Sequence, residues 1–305
     1  MATIQTHRLR RDPGLVTRMY FTMFLLGVLY AIFALILYRL NMGMVPLVVI
    51  VGVMASVQYF LSDRMILWST GAKQVSEDDE PELHAMVNRL AIRAGIPKPK
   101  VAVMTNSIPN AFATGRNPSN ALIAITTGIR DRLTERELEA VIGHELAHVT
   151  NRDMRVLAIA NFLVMLTSFL MTMLFWNMMF GGMMGRRGNQ TGPIMIVYLV
   201  TIVVYFVGQL LVLALTRYRE YGADHGGAVI SGDPSSLASA LEKISGSLAR
   251  IPEKDLRKVQ TANAFMIIPA LRGHGTANLF STHPPVEDRV RRLRDMEQQM
   301  RYGDM

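Results

Sequence analysis

The chain has 305 residues, half of them hydrophobic, with a mean hydropathy of +0.24, which is high for a water-soluble protein and directs attention to membrane spans. Cysteine is absent, which excludes disulfides, thiolate metal sites and a cysteine nucleophile. The net charge of +8 comes from basic residues that flank apolar segments without aromatic interleaving, so it points to an anionic lipid surface rather than to nucleic acid.

Residues 19–38 and 40–62 contain no Asp, Glu, Lys or Arg. Both reach the roughly 20 residues that a span requires, and their apolar limits near 19–38 and 43–61 predict a transmembrane hairpin. The first window is not a cleaved signal peptide, because it is too long and Tyr38-Arg39-Leu40 is no small-residue cleavage site. Arg8, Arg10, Arg11 and Arg18 precede it, so the positive-inside rule places the N-terminal 18 residues in the cytoplasm.

After the hairpin, 76–82 is an acidic stretch that reads as a solvated linker. Residues 81–95 read as an amphipathic helix with Leu83, Met86, Val87, Leu90 and Ala91 on one face. Residues 100–104 and 121–126 are short β-type runs bounded by Pro, Asn and Gly. Between them lies PNAFATG, 109–115, in which Asn110 reads by itself as a turn residue and Arg116 as a solvated charge. Thr134 followed by Glu137 is a capping-box pattern ahead of an apolar-periodic run, which predicts a helix over about 135–151.

That helix carries HELAH. His144 and His148 are one turn apart, so two imidazoles project from the same face and can share one zinc, with Glu145 beside the open position. Composition alone would produce an H-E-x-x-H pattern in such a chain only about six times in a thousand. Asn151 and Asp153 read as helix-ending residues that contact backbone or solvent.

Two further uncharged windows follow, 156–185 and 188–216, with apolar limits near 156–176 and 194–216. They predict a second hairpin, closed by a flexible Gly- and Met-rich outer loop at 181–193. An even number of crossings returns 62–155 and 217–305 to the cytoplasm, where they are expected to form one catalytic domain. Arg64, Arg217 and Arg219 fit that orientation, while Arg39, Arg186 and Arg187 run against it without reversing it. Past the last window, RYREYGADHGGA (217–228) puts Glu220 and Asp224 one helical turn apart. A catalytic zinc takes three protein ligands and a water. Spacing leaves Glu220, Asp224, His225 and His283 as alternatives for the third ligand.

HELAH, REYGAD, PNAFATG and the late FSTHPP (280–285), in that order among four apolar windows, resemble the HtpX-type membrane metallopeptidases over nearly the whole chain. That family belongs to a larger group containing the prenyl-protein (CaaX) proteases, whose greater number of spans argues against a prenyl-protein substrate here. The resemblance implies a mainly α membrane protein: four transmembrane helices plus a gluzincin-like α+β cytoplasmic catalytic domain with a small sheet. It implies one zinc per chain held by His144, His148 and Glu220, with Glu145 as general base and Asp224 supporting a ligand. It also implies that Asn110 and His283 lie near the reacting carbonyl, whereas His225 is not required. Peptides or damaged membrane proteins are the implied substrates, with self-cleavage a further family expectation. Two other classes compete: a non-catalytic scaffold with a zinc site, disfavoured by the intact Glu145, and a small transporter, disfavoured by windows free of ionisable residues.

Overall fold

A computed structural model describes residues 13–40, 45–180, 191–251, 267 and 283–302. Arg8, Arg10 and Arg11, most of the 181–193 loop, and 280–282 of FSTHPP lie outside the described residues. The chain is mostly helical with a small mixed sheet and divides into two compact units, 18–61 with 155–215, and the remainder.

The first unit draws on helices α1 (Pro13–Arg39), α2 (Val45–Thr70), α6 (Asp153–Phe180) and α7 (Thr191–Ser231). Its interior is apolar, with Leu26, Phe33, Leu37, Leu170, Leu174 and Val212 packed together, and the Tyr30 hydroxyl 3.5 Å from Thr167 Oγ1. Its exterior is apolar as well: Phe21, Phe24, Ile32, Val203 and Phe206 are all more than half exposed. Surface of this kind suits hydrocarbon as solvent. Three segments, Pro13–Arg39, Asp153–Phe180 and Ile194–Ser231, are long and apolar enough to cross a membrane. The second window lies in α2, a 26-residue helix whose apolar run among the described residues is Val48–Leu61.

The second unit holds the sheet, ordered β1-β2-β4-β3. β1 (Lys73–Gln74) pairs antiparallel with β2 (Lys100–Met104), β2 pairs parallel with β4 (Leu122–Thr126), and β3 (Ala111–Thr114) pairs antiparallel with β4. The two β-type runs read from sequence are β2 and β4. β3 was not expected, being a four-residue, alanine-rich segment whose β character comes from its partner. Helix α3 (Pro81–Ala94) buries the five residues that the periodicity marked and stops at Gly95, which caps it with φ of 68°. The acidic stretch before it is more than a linker: Glu77 pairs with Lys98, and Glu80 with Arg130. After the short α4 (Thr127–Arg130) come α5 (Glu135–Thr150), α8 (Pro234–Leu248) and α9 (Val286–Tyr302), which with α3 and one sheet face enclose the main core.

Helix α5 starts with both halves of the capping box: Glu137 N–H donates to Thr134 Oγ1, and Thr134 N–H to Glu137 Oε2 at 2.8 Å. Glu137 also accepts from Ser239 at 2.6 Å and from Lys243 at 2.7 Å, fastening α8 to the start of α5. Farther along, α5 meets α7 backbone to backbone. A Cβ on Gly227 would lie 2.7 Å from His144 N and Cα, and one on Gly226 would lie 2.8 Å from Ala147 Cβ. Only glycines allow that approach.

Two outcomes are expected. Gly227→Ala must push the helices apart, at a cost of about 1–3 kcal/mol; an unchanged unfolding temperature in detergent would contradict the contact. For Glu137, burial pushes the carboxyl up, but the hydrogen bonds from Lys243, Ser239 and Thr134 outweigh it and hold the pKa at about 2, against an ordinary 4.5. A depressed carboxyl pKa stabilises the fold above the unfolded value and ceases to do so as pH falls through the folded one. Glu137→Ala should therefore lower stability by about 1–3 kcal/mol at neutral pH. The gap from wild type should narrow between pH 4.5 and about 2 in thermal unfolding followed across pH.

Candidate metal centre

Helix α5 presents His144 and His148 from adjacent turns, with ring centroids 4.9 Å apart and planes nearly perpendicular. Helix α7 brings Glu220 between them: Glu220 Oε2 is 3.7 Å from His144 Nε2, and Oε1 is 3.5 Å from His148 Nε2. One ligand atom from each residue lies within 4.8 Å of the others, the arrangement of a metal site. A tetrahedral ion with bonds of about 2.0–2.1 Å holds its ligand atoms about 3.3–3.4 Å apart. The observed spacing is close to that. Two imidazoles and one carboxylate converging from two helices are the donor set of a divalent-metal site. The residues present fit a divalent metal.

Each imidazole is backed by a carboxylate. Asp224 Oδ1 is 3.1 Å from His144 Nδ1, and Asp153 Oδ2 is 2.6 Å from His148 Nδ1. Protonation of both Nδ1 atoms leaves the Nε2 lone pairs facing Glu220. The carboxylates are themselves held by arginines. Arg289, fully buried, grips Asp224 through Nε at 2.9 Å and Nη2 at 2.7 Å, and its Nη1 donates to the Ile267 carbonyl at 2.8 Å. Burial opposes charging Arg289, but Asp224 and Glu220 outweigh it and raise its pKa. Arg219 Nη2 lies 2.9 Å from Asp153 Oδ2.

Glu145 follows His144 but turns toward the sheet, where its Oε2 accepts the Ala113 N–H at 2.8 Å. β3 thus directs that amide away from β4 and toward the carboxylate. Burial drives the Glu145 pKa upward, only partly opposed by His144 and His148. A buried carboxyl with a raised pKa beside candidate metal ligands is suited to taking and releasing a proton.

Of the remaining expected residues, His283 contacts Glu220 directly, whereas Asn110 is linked to the cluster through Ile267 and Arg289. His283 Nδ1 is 3.0 Å from Glu220 Oε2. Asn110 is buried, and its Oδ1 accepts the Ile267 N–H at 3.1 Å. Asp224 stands behind His144, and His225 is not among the grouped ligand atoms. Asp153 corrects the sequence reading: it is 4% exposed and contacts His148 and Arg219, not backbone or solvent. Arg219, read as an interfacial charge, is buried beside it. Arg289 was missed altogether, although Val286, Val290 and Leu293 define a buried stripe on α9 that includes it. An arginine on an apolar stripe was the available signal.

Comparison with known proteins agrees with this geometry. The sequence profile of peptidase family M48 matches residues 77–297. A protease HtpX homolog of Moorella thermoacetica is 53% identical over 294 residues, covering 96% of this chain and 98% of that protein. Protease HtpX homolog 2 of Methanosarcina mazei is 50% identical over 290 residues, covering 95% and 98%. Among solved structures, S. mikatae Ste24p matches with a TM-score of 0.55 at 18% identity, over 88% of this chain. This chain spans only 62% of that structure's length, and the likeness is one of fold. The long apolar helices, together with these relatives, mark a multi-pass membrane protein. The chain belongs to peptidase family M48 and is a metallopeptidase hydrolase of HtpX type.

Proposed function

We propose that the protein is a membrane-anchored zinc endopeptidase that hydrolyses peptide bonds without a covalent intermediate, with Glu145 as general base. What carries this function is one juxtaposition: His144, His148 and Glu220 converge while Glu145 bridges them to the outer edge of β3. The donor set of two imidazoles and one carboxylate, one position short of four, is that of catalytic zinc. Zinc, when bound, supplies Lewis acidity toward a water and the scissile carbonyl. Glu145 accepts the water proton and later delivers it to the leaving amine.

A substrate in extended form can add as a strand along β3, drawing affinity from main-chain hydrogen bonds independent of sequence. Asn110 and His283 border the reacting carbonyl. With Asn110 Oδ1 taken by Ile267, its NH2 group is the end with protons to donate, while His283 also holds Glu220 in place.

The same proposal includes four crossings, α2 contributing the second through an apolar segment extended at Val45, and both termini in the cytoplasm of the cell whose inner membrane holds the chain. Arg18, Arg217 and Arg219 support that orientation. Glu220 lies four residues beyond Thr216, where the uncharged window ends, about 6 Å of helix at 1.5 Å per residue. Cytoplasmic loops and ends of misfolded or damaged membrane proteins are the proposed substrates, in a quality-control role.

Glu145→Gln should retain one zinc per chain by metal analysis and lose casein cleavage by about 10²–10⁴-fold. Full turnover by the metal-loaded variant would remove the base assignment. Glu220→Ala should lose both metal and cleavage. A variant that kept stoichiometric zinc would exclude Glu220 as a ligand.

A further inference from the structure

We infer that Asp153 and Arg219 form a positioning pair for His148, fixing its ring so that Nε2 faces the metal; the inference rests on the zinc reading above. The pair lies outside the HELAH and REYGAD ligand set and comes from two elements far apart in the chain. Asp153 Oδ2 accepts from His148 Nδ1 at 2.6 Å and from Arg219 Nη2 at 2.9 Å, so one carboxylate oxygen joins a candidate ligand to a guanidinium. Both residues are buried, Asp153 at 4% and Arg219 at 5% exposure.

Two features mark the arrangement as more than a packing ion pair. First, α5 ends at Thr150, and Arg152 takes φ of 57°, alone among the described non-glycine residues in having a positive φ. Side chains disfavour that conformation. It turns the chain between α5 and α6, and the next residue, Asp153, meets His148 five positions back. Strain of this kind persists where surrounding contacts require it. Second, among the described residues Arg219 Nε and Nη1 are buried without hydrogen bonds, and its Nη2 is 2.9 Å from Asp153 Oδ2. The guanidinium holds the carboxylate pointed at Nδ1. A carboxylate on Nδ1–H fixes the tautomer and makes Nε2 a stronger ligand. His144 receives the parallel arrangement from Asp224 and Arg289. The two imidazoles are thereby oriented independently, each by its own carboxylate and arginine.

The test uses full-length protein in detergent with Glu145→Gln throughout to suppress self-cleavage. Zinc affinity is measured by chelator competition, and unfolding temperature is measured on the metal-free form. Asp153→Asn with Arg219→Met removes both charges together, so no unpaired ion is left buried. The expected result is a metal-free unfolding temperature close to the parent and zinc affinity weaker by about 10–100-fold. A folded double variant whose affinity is within twofold of the parent overturns the inference and leaves the zinc reading intact. A parent that fails to bind one zinc overturns both. Should the double variant not fold, Asp153→Asn alone decides: it keeps an oxygen acceptor for His148 and Arg219 but loses the charge, so unchanged affinity again overturns the inference and weakened affinity supports it.

Discussion

Charge balance in a dry place is the constraint on which the site depends. Glu145, Glu220, Asp224, Asp153, Arg219 and Arg289 are each no more than 5% exposed and are linked through the two imidazoles. Burying an ion costs several kcal/mol unless another charge offsets it. Four carboxyl groups stand against two guanidiniums, an excess of acidic groups that a divalent cation would offset. Arg219 stands behind Asp153, whereas Arg289 holds Asp224 and also reaches within 3.5 Å of His144 Nε2 and 3.6 Å of Glu220 Oε2.

Assembling that cluster requires two helices to approach more closely than ordinary side chains permit. On α7, Glu220, Asp224, Gly227 and Ser231 follow at four, three and four residues, a single stripe facing α5. On α5 the answering stripe is Ala140, Gly143, His144 and Ala147, all buried. Small residues bring the backbones together at Gly143 and Gly227, and the functional side chains project from the turns to either side. A bulkier contact there would carry Glu220 away from the imidazoles. The glycines are therefore part of the candidate metal centre without offering a ligand atom.

What could be read before the structure follows from the range of the forces involved. The capping box at Thr134, the four-residue spacing of His144 and His148, and the apolar face of α3 are encoded within a single helix, so local sequence displays them. Glu220 required a resemblance to choose among nearby candidates, because its role depends on a helix more than seventy residues away. β3 was illegible for a related reason: in AFAT the strand-favouring Phe112 and Thr114 alternate with alanines over only four residues, and its pairing with Leu122–Thr126 is tertiary. Asp153 was misread because its contact with His148 depends on the left-handed turn at Arg152, a conformation that an arginine does not advertise. Arg289 was hidden in a helix with five arginines and four acidic residues, where only its register with Val286 and Leu293 sets it apart.

Glu145 shows how the sheet and the helices are made interdependent. Its carboxylate is one residue from a candidate metal ligand, yet its hydrogen bond runs to the amide of Ala113 on the edge strand. Displacement of β3 therefore shifts the orientation of Glu145. Asn110 ties the start of the same strand to Ile267, and Ile267 in turn receives Arg289, which holds Asp224 behind His144. A continuous chain of hydrogen bonds thus leads from the strand edge, through a single backbone position, to the support of a metal ligand. The position of the edge strand and the orientation of His144 are set together.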